Sequence, residues 1–154
     1  MIVSTPALFD ILARVPVLAG TSEAAQHLIA DEGVVCGFSE GDLLVHEGDE
    51  GHAFFILVEG EVDVVKHGDG PRICMLERLK EGSTFGEMCI LAPMRRAASI
   101  RAAGPVKVIE IEAATLHHLY LRMPDQYAIV LLNLARDMAR RLSRLDEAYA
   151  ARAC

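Results

Sequence analysis

No apolar stretch in this sequence approaches the roughly 18 residues that a membrane-crossing helix needs. The first residues, Met1-Ile2-Val3-Ser4-Thr5-Pro6, set no basic region ahead of a long apolar core, so no secretory signal is expected. Positive charge is scarce: 15 Lys and Arg stand against 22 Asp and Glu, a formal net charge of −7. A nucleic-acid or membrane-surface binder needs a positive field, so those classes are excluded for the domain as a whole. The four cysteines, Cys36, Cys74, Cys89 and Cys154, form no CxxC and no Cys/His spacing of the zinc kind. They read as reduced, mostly buried thiols of a cytoplasmic protein.

Histidine offers no metal site either. His46, His52 and His67 lack the His-x-His spacing of a metal-binding barrel, and His117 and His118 are neighbours on a predicted helix that cannot face the same way. No serine or cysteine sits in a nucleophile elbow and no carboxylate pair stands out, so no catalytic residue and no cofactor is expected. Internal repeats and low-complexity segments are also missing.

What remains is 154 residues, 52% hydrophobic, which fits one domain with one core, 1–154. Three zones follow one another. Residues 7–31 read as helical: Pro16 and Gly20 break a first short helix, and Thr21 or Ser22 caps a second from Glu23 to Ala30. Residues 34–112 read as short β-branched or apolar strands at 34–38, 43–46, 53–58, 62–66, 73–79, 97–101 and 106–112, split by glycine-bearing turns. That pattern argues a sandwich or a barrel. Alternation over Glu61-Val62-Asp63-Val64-Val65 predicts one wet and one buried face. Residues 113–150 read as helices divided by Pro124. On the longer one Leu131, Ala135, Met138, Leu142, Leu145 and Tyr149 recur at steps of four and three, a coiled-coil seam. The seam either packs on the chain's own barrel or pairs with a second subunit, and a homodimer through 131–149 is the reading taken.

One stretch carries chemistry: Phe85-Gly86-Glu87-Met88-Cys89-Ile90-Leu91, then Ala92-Pro93-Met94-Arg95-Arg96-Ala97-Ala98-Ser99. Gly86 lets a ligand approach the backbone, and the amides of the apolar turn after it attract an anion. An arginine fork suits phosphate oxygens, whereas Glu87 accepts a hydroxyl hydrogen. A sugar phosphate meets both needs. Alone, such a Glu and Arg are more often a surface ion pair.

The stretch resembles the phosphate-binding cassette of cyclic nucleotide-binding domains, as in catabolite-activator-type regulators, protein kinase A regulatory subunits and gated channels. Their pattern is F-G-E, a short apolar run, a variable tip, then R-(A/S/T)-A-(T/S)-V, here closed by Arg96-Ala97-Ala98-Ser99-Ile100. Phe38-Ser39-Glu40-Gly41-Asp42 through His46-Glu47-Gly48-Asp49 resembles the family's F-x-x-G-D-x-I-x-x-E-G-D, and Phe54 through Val62 its Y-x-I-x-x-G-x-V. The resemblance spans about residues 15–145.

It implies a mainly β fold with flanking α: an eight-stranded double-stranded β-helix (jelly-roll) barrel, N-terminal helices, a cassette at 85–99, and C-terminal lid or dimer helices. It also implies a ligand-binding set. Glu87 would take the ribose 2′-hydroxyl and Arg96, not Arg95, the cyclic phosphate. Amides near Gly86, Cys89 and Ala97 would complete the clamp, with Met88 and Ala98 beside them. Val64 and Leu76 would line the sugar and base pocket, and Arg140, Arg141 or Arg144 would lid the base. Ala97 lacks the hydroxyl that accompanies cGMP preference, so cAMP is the ligand implied, with cGMP second. Cys89 departs from the family's usual alanine. No DNA-binding domain is recognised, so the implied function is non-catalytic sensing that passes to an unidentified effector protein or through the dimer. The rival expectation is a degenerate member that keeps the fold as a protein-interaction module.

Overall fold

The computed structural model describes residues 5–153; residues 1–4 and Cys154 lie outside them. Helix α1 (Thr5–Leu12) ends ahead of Pro16, which opens a 3-10 turn, Pro16–Leu18. Ser22 caps α2 (Glu23–Glu32): its Oγ accepts the Ala25 N–H at 3.2 Å, with Glu23 in the positive first turn. The Thr21 hydroxyl instead donates to the Leu18 carbonyl.

Eight strands follow: β1 (Val34–Phe38), β2 (Leu43–Val45), β3 (Ala53–Glu59), β4 (Val62–His67), β5 (Ile73–Leu79), β6 (Thr84–Phe85), β7 (Ser99–Ala102) and β8 (Val106–Glu112). The one-turn helix α3 (Met88–Leu91) lies between β6 and β7. Helices α4 (Ala113–Arg122) and α5 (Pro124–Ala153) close the chain, parted by Met123 ahead of Pro124. The strands form two antiparallel four-stranded sheets, ordered β1-β8-β3-β6 and β2-β7-β4-β5. Strand β6 escaped the sequence reading because two residues carry no period. Pairing of Phe55 with Phe85 and Ile56 with Thr84 defines it.

Three layers result. Val45, Leu57, Val62, Leu79, Phe85, Ile100 and Val108, drawn from both sheets, form the core between them. The other side of the first sheet, Phe54, Ile56, Ile109 and Ile111, meets Leu12, Leu18, Ile29, Leu119, Val130 and Leu134 of the helices. Strand β3 is therefore buried on both faces, Phe54 and Ile56 toward helices, Phe55 and Leu57 toward the second sheet. Each such side chain contributes about 1.5–3 kcal/mol of burial. This layering presses the cassette that follows β6 against β3.

Two expectations need correction, and the alternative that the α5 seam packs on the chain's own barrel falls with them. Asp63, placed on a wet face, is only 4% exposed, because Arg78 from β5 lies across it with bonds of 2.7 and 3.1 Å to its two oxygens. The thiols are not mostly buried. Cys36, Cys74 and Cys89 are free and half-buried, the first two on the edge strands β1 and β5 and the third on α3. The α5 seam is not the face that α5 buries. Val130 and Leu134 enter the core, whereas Leu142, Leu145 and Tyr149 are 60%, 45% and 75% exposed.

The Arg78 guanidinium holds the Asp63 carboxyl below the ordinary carboxylate range. A depressed folded value means stability present above the unfolded value, about 3.9, and lost as pH falls below it. Asp63→Asn is expected to cost about 1–2 kcal/mol at neutral pH and to flatten the loss of stability below about pH 4. Urea melts across that range measure both.

Candidate functional site

The centre of the site is Arg96, 8% exposed. Its Nη1 donates to the Gly86 carbonyl at 2.8 Å and its Nη2 to the Ala53 carbonyl at 2.9 Å; its guanidinium carbon lies 5.8 Å from the Phe55 ring centre. Its backbone is fixed as well: the Arg96 N–H donates to Asp49 O, and its carbonyl accepts from Gly48 N–H. The loop after β2 and the cassette limb before β7 thus run as one paired edge.

Two glycines exist for this arginine. Gly86 has φ +82°, and a Cβ there would sit 2.6 Å from Nη1. At Gly51, which the sequence reading passed over, a Cβ would sit 2.2 Å from Nε. A glycine in an acidic loop signals only a turn until the buried guanidinium beside it is known. The neighbouring Arg95 is outside this cluster, with its side chain 67% exposed and bonded to the Gly48 carbonyl.

Both identified acceptors of the buried guanidinium are neutral carbonyls, and among the described residues no carboxylate pairs with it. Nor do the N–H groups of Gly86, Cys89 and Ala97 have a protein acceptor there. The result is a buried cation without an anionic partner, in a cassette that also carries unengaged backbone donors, a combination that draws an anion.

Glu87 starts α3 and is 2% exposed. Its Oε1 accepts from Arg141 Nη1 at 3.1 Å, and its Oε2 is buried with no hydrogen-bond partner. Burial pushes the Glu87 carboxyl above its ordinary value, while Arg141 pulls the other way. Arg141 also donates to the Thr84 carbonyl and lies 3.5 Å from Asp137, a partner the sequence did not single out. One turn on, Arg144 meets Glu77 of β5 at 2.8 Å. Arg140 is exposed. Of the three lid candidates, two therefore reach across to the sheets, and they bind carboxylates.

The remaining expected residues scatter around this centre. Val64 packs half-buried on the inter-sheet core. Leu76, 47% exposed, is the bulged residue where pairing slips from Val64–Glu77 to Val65–Met75. Met88 and Ala97 are exposed, and Cys89 and Ala98 half-buried. A separate groove of about 500 Å³ runs behind the cassette, lined by Ile90, Leu91, Leu116, Tyr120, Tyr127 and Leu131. Among the described residues no three His, Cys, Asp or Glu side chains converge, and no helix is long and apolar enough to cross a membrane.

The chain is similar to known proteins in sequence and in fold. The chain is 37% identical over 101 residues to the cAMP-dependent protein kinase regulatory subunit of Aspergillus niger, covering 65% of this chain and 24% of that protein. It is 32% identical over 127 residues to the subunit of the same description from Mycosarcoma maydis, covering 82% and 24%. It thus spans about a quarter of those relatives. A cyclic nucleotide-binding domain from Methylobacillus flagellatus superposes with a TM-score of 0.84 at 21% identity, over 96% of this chain and 83% of that one, a likeness of fold. The catabolite activator protein of Thermus thermophilus superposes with a TM-score of 0.75 at 25% identity, over 90% and 63%. The sequence profile of the cyclic nucleotide-binding domain matches residues 35–123, more than half of the chain, and the protein belongs to that family.

Proposed function

We propose that the chain is a non-catalytic sensor of a cyclic nucleotide, with cAMP as its ligand. The observation that carries this reading is a complementary pair of unmet demands: a buried guanidinium bonded to carbonyls alone, and a buried carboxylate oxygen without a donor. A cyclic nucleotide offers both counterparts, an anionic phosphodiester and a ribose 2′-hydroxyl. The alanine at position 97 and the descriptions of the kinase relatives favour cAMP over cGMP. An interaction module that had lost its ligand would have little reason to keep an uncompensated buried cation, which costs stability.

Glu87 joins the ligand to α5. Its Oε1 holds Arg141 of the lid helix, and its Oε2 takes the ribose hydroxyl. Loading the carboxylate changes what Arg141 sees, and the helix carries that change outward. We read the exposed Leu142, Leu145 and Tyr149 as the surface that receives a second copy of the chain, through which the signal reaches an effector protein.

Calorimetric titration of nucleotide-stripped protein with cAMP and cGMP is expected to show cAMP binding at micromolar or tighter concentrations. Folded protein that gives no heat with either ligand refutes the reading and favours the interaction module. Arg96→Ala is expected to weaken binding at least tenfold and Arg95→Ala at most twofold, because only the former is buried in the cluster. Equal losses would remove Arg96 from the phosphate. Leu142→Glu with Leu145→Glu is expected to halve the sedimenting mass. An unchanged mass would return the exposed stripe to a solvent face.

A further inference from the structure

Alternation along β4 puts Lys66 on the same face as Val62 and Val64. Its Nζ donates to the Ala97 carbonyl and pairs with Glu47 at 3.2 Å. Ala97 directly follows Arg96, and among the described residues its N–H has no backbone acceptor. The ladder between β4 and β7 ends at Val65–Ser99, so Lys66 reaches the cassette where backbone pairing has stopped.

The lysine is not a loose surface cation. Glu47 is itself fixed: one oxygen accepts the His67 N–H at 3.0 Å and faces His67 Nδ1 at 2.9 Å, and the Glu47 N–H donates to Ser99 Oγ at 2.9 Å. His67 and Lys66 together hold the Glu47 carboxyl down at about 2, so it stays ionised and keeps its grip across the neutral range. An ammonium carries three N–H donors, and two of Lys66's are engaged.

We propose that Lys66 is a second cationic donor of the anion site, its free N–H meeting an oxygen of the phosphodiester held by Arg96 and the Ala97 amide. This rests on the nucleotide-binding reading above. A phosphodiester has two unesterified oxygens. Arg96, with Nη1 and Nη2 each tied to a carbonyl, serves one, and Lys66 with the Ala97 amide serves the other. Glu47 offsets the extra charge and fixes the direction of the ammonium.

The test is cAMP titration of nucleotide-stripped wild type, Lys66→Met and Lys66→Arg at low and at moderate salt, about 50 and 300 mM. Lys66→Met is expected to bind about tenfold more weakly at low salt and to lose part of the salt dependence, since one screened charge contact is gone. Lys66→Arg keeps the salt dependence. Wild-type affinity in Lys66→Met, or a loss equal at both salts with melting temperature lowered, overturns the assignment while leaving nucleotide binding intact. Failure of the wild type to bind overturns both.

Discussion

One guanidinium organises this end of the molecule. Arg96 bonds a carbonyl of β3 and a carbonyl at the start of the cassette, packs over Phe55, and shares its backbone edge with residues 48 and 49. Three segments meet at it: residues 48–55, the start of the cassette at Gly86, and the limb that carries Arg96 itself. Two of them must be glycine there, because any Cβ at 51 or 86 would occupy the guanidinium's volume. The cassette is therefore built around this arginine: remove it and the bonds that set the cassette's shape go too.

That arrangement is costly in the empty protein. A buried cation facing carbonyls has lost hydration that two neutral hydrogen bonds only partly restore. Glu87 is in the same position with opposite sign, its carboxyl pushed up by burial and one oxygen unpartnered. Arg96 and Glu87 are close enough to feel each other but are not bonded, since Arg141 has taken the carboxylate. Had they paired, both demands would be met within the protein and the groove would be inert. By supplying Glu87 with a cation from α5, the fold leaves Arg96 without an anionic partner, and one Glu87 oxygen stays unpartnered.

Much of this was legible in the sequence, unevenly. Strand positions followed from turn glycines and β-branched runs, because local chemistry fixes them: the readings at 34–38, 73–79 and 106–112 match β1, β5 and β8 to the residue. The spacing of the family motif favours Arg96 over Arg95, and Arg96 is the buried one of the two. What failed depended on neighbours far along the chain. Period-two alternation made Asp63 wet, but a cross-strand arginine covers it. The cysteines looked buried by residue type, yet two lie on sheet edges. Gly51, Asp137 and Lys66 gave no local signal, since each matters through a partner at least four residues away in a helix or across the sheets.

The seam on α5 shows the same limit with a functional edge. A heptad stripe states that a helix has an apolar face, not what covers it. Here the core takes an offset face, ending at Leu134, and beyond it no residue of α5 is buried. The distal half is attached by Arg141 to Glu87 and Arg144 to Glu77, polar contacts worth about 1.5–3 kcal/mol each at most. A helix held so lightly needs little to move: 1.4 kcal/mol shifts its position equilibrium tenfold. A ligand exerts that shift only by binding one helix position better than the other. Glu87 is where such a preference can arise, because the oxygen left for the ligand and the oxygen holding the helix belong to one carboxylate. On the function proposed above, drawing charge toward one changes the strength of the other, which would couple α5 to the groove without any further moving part.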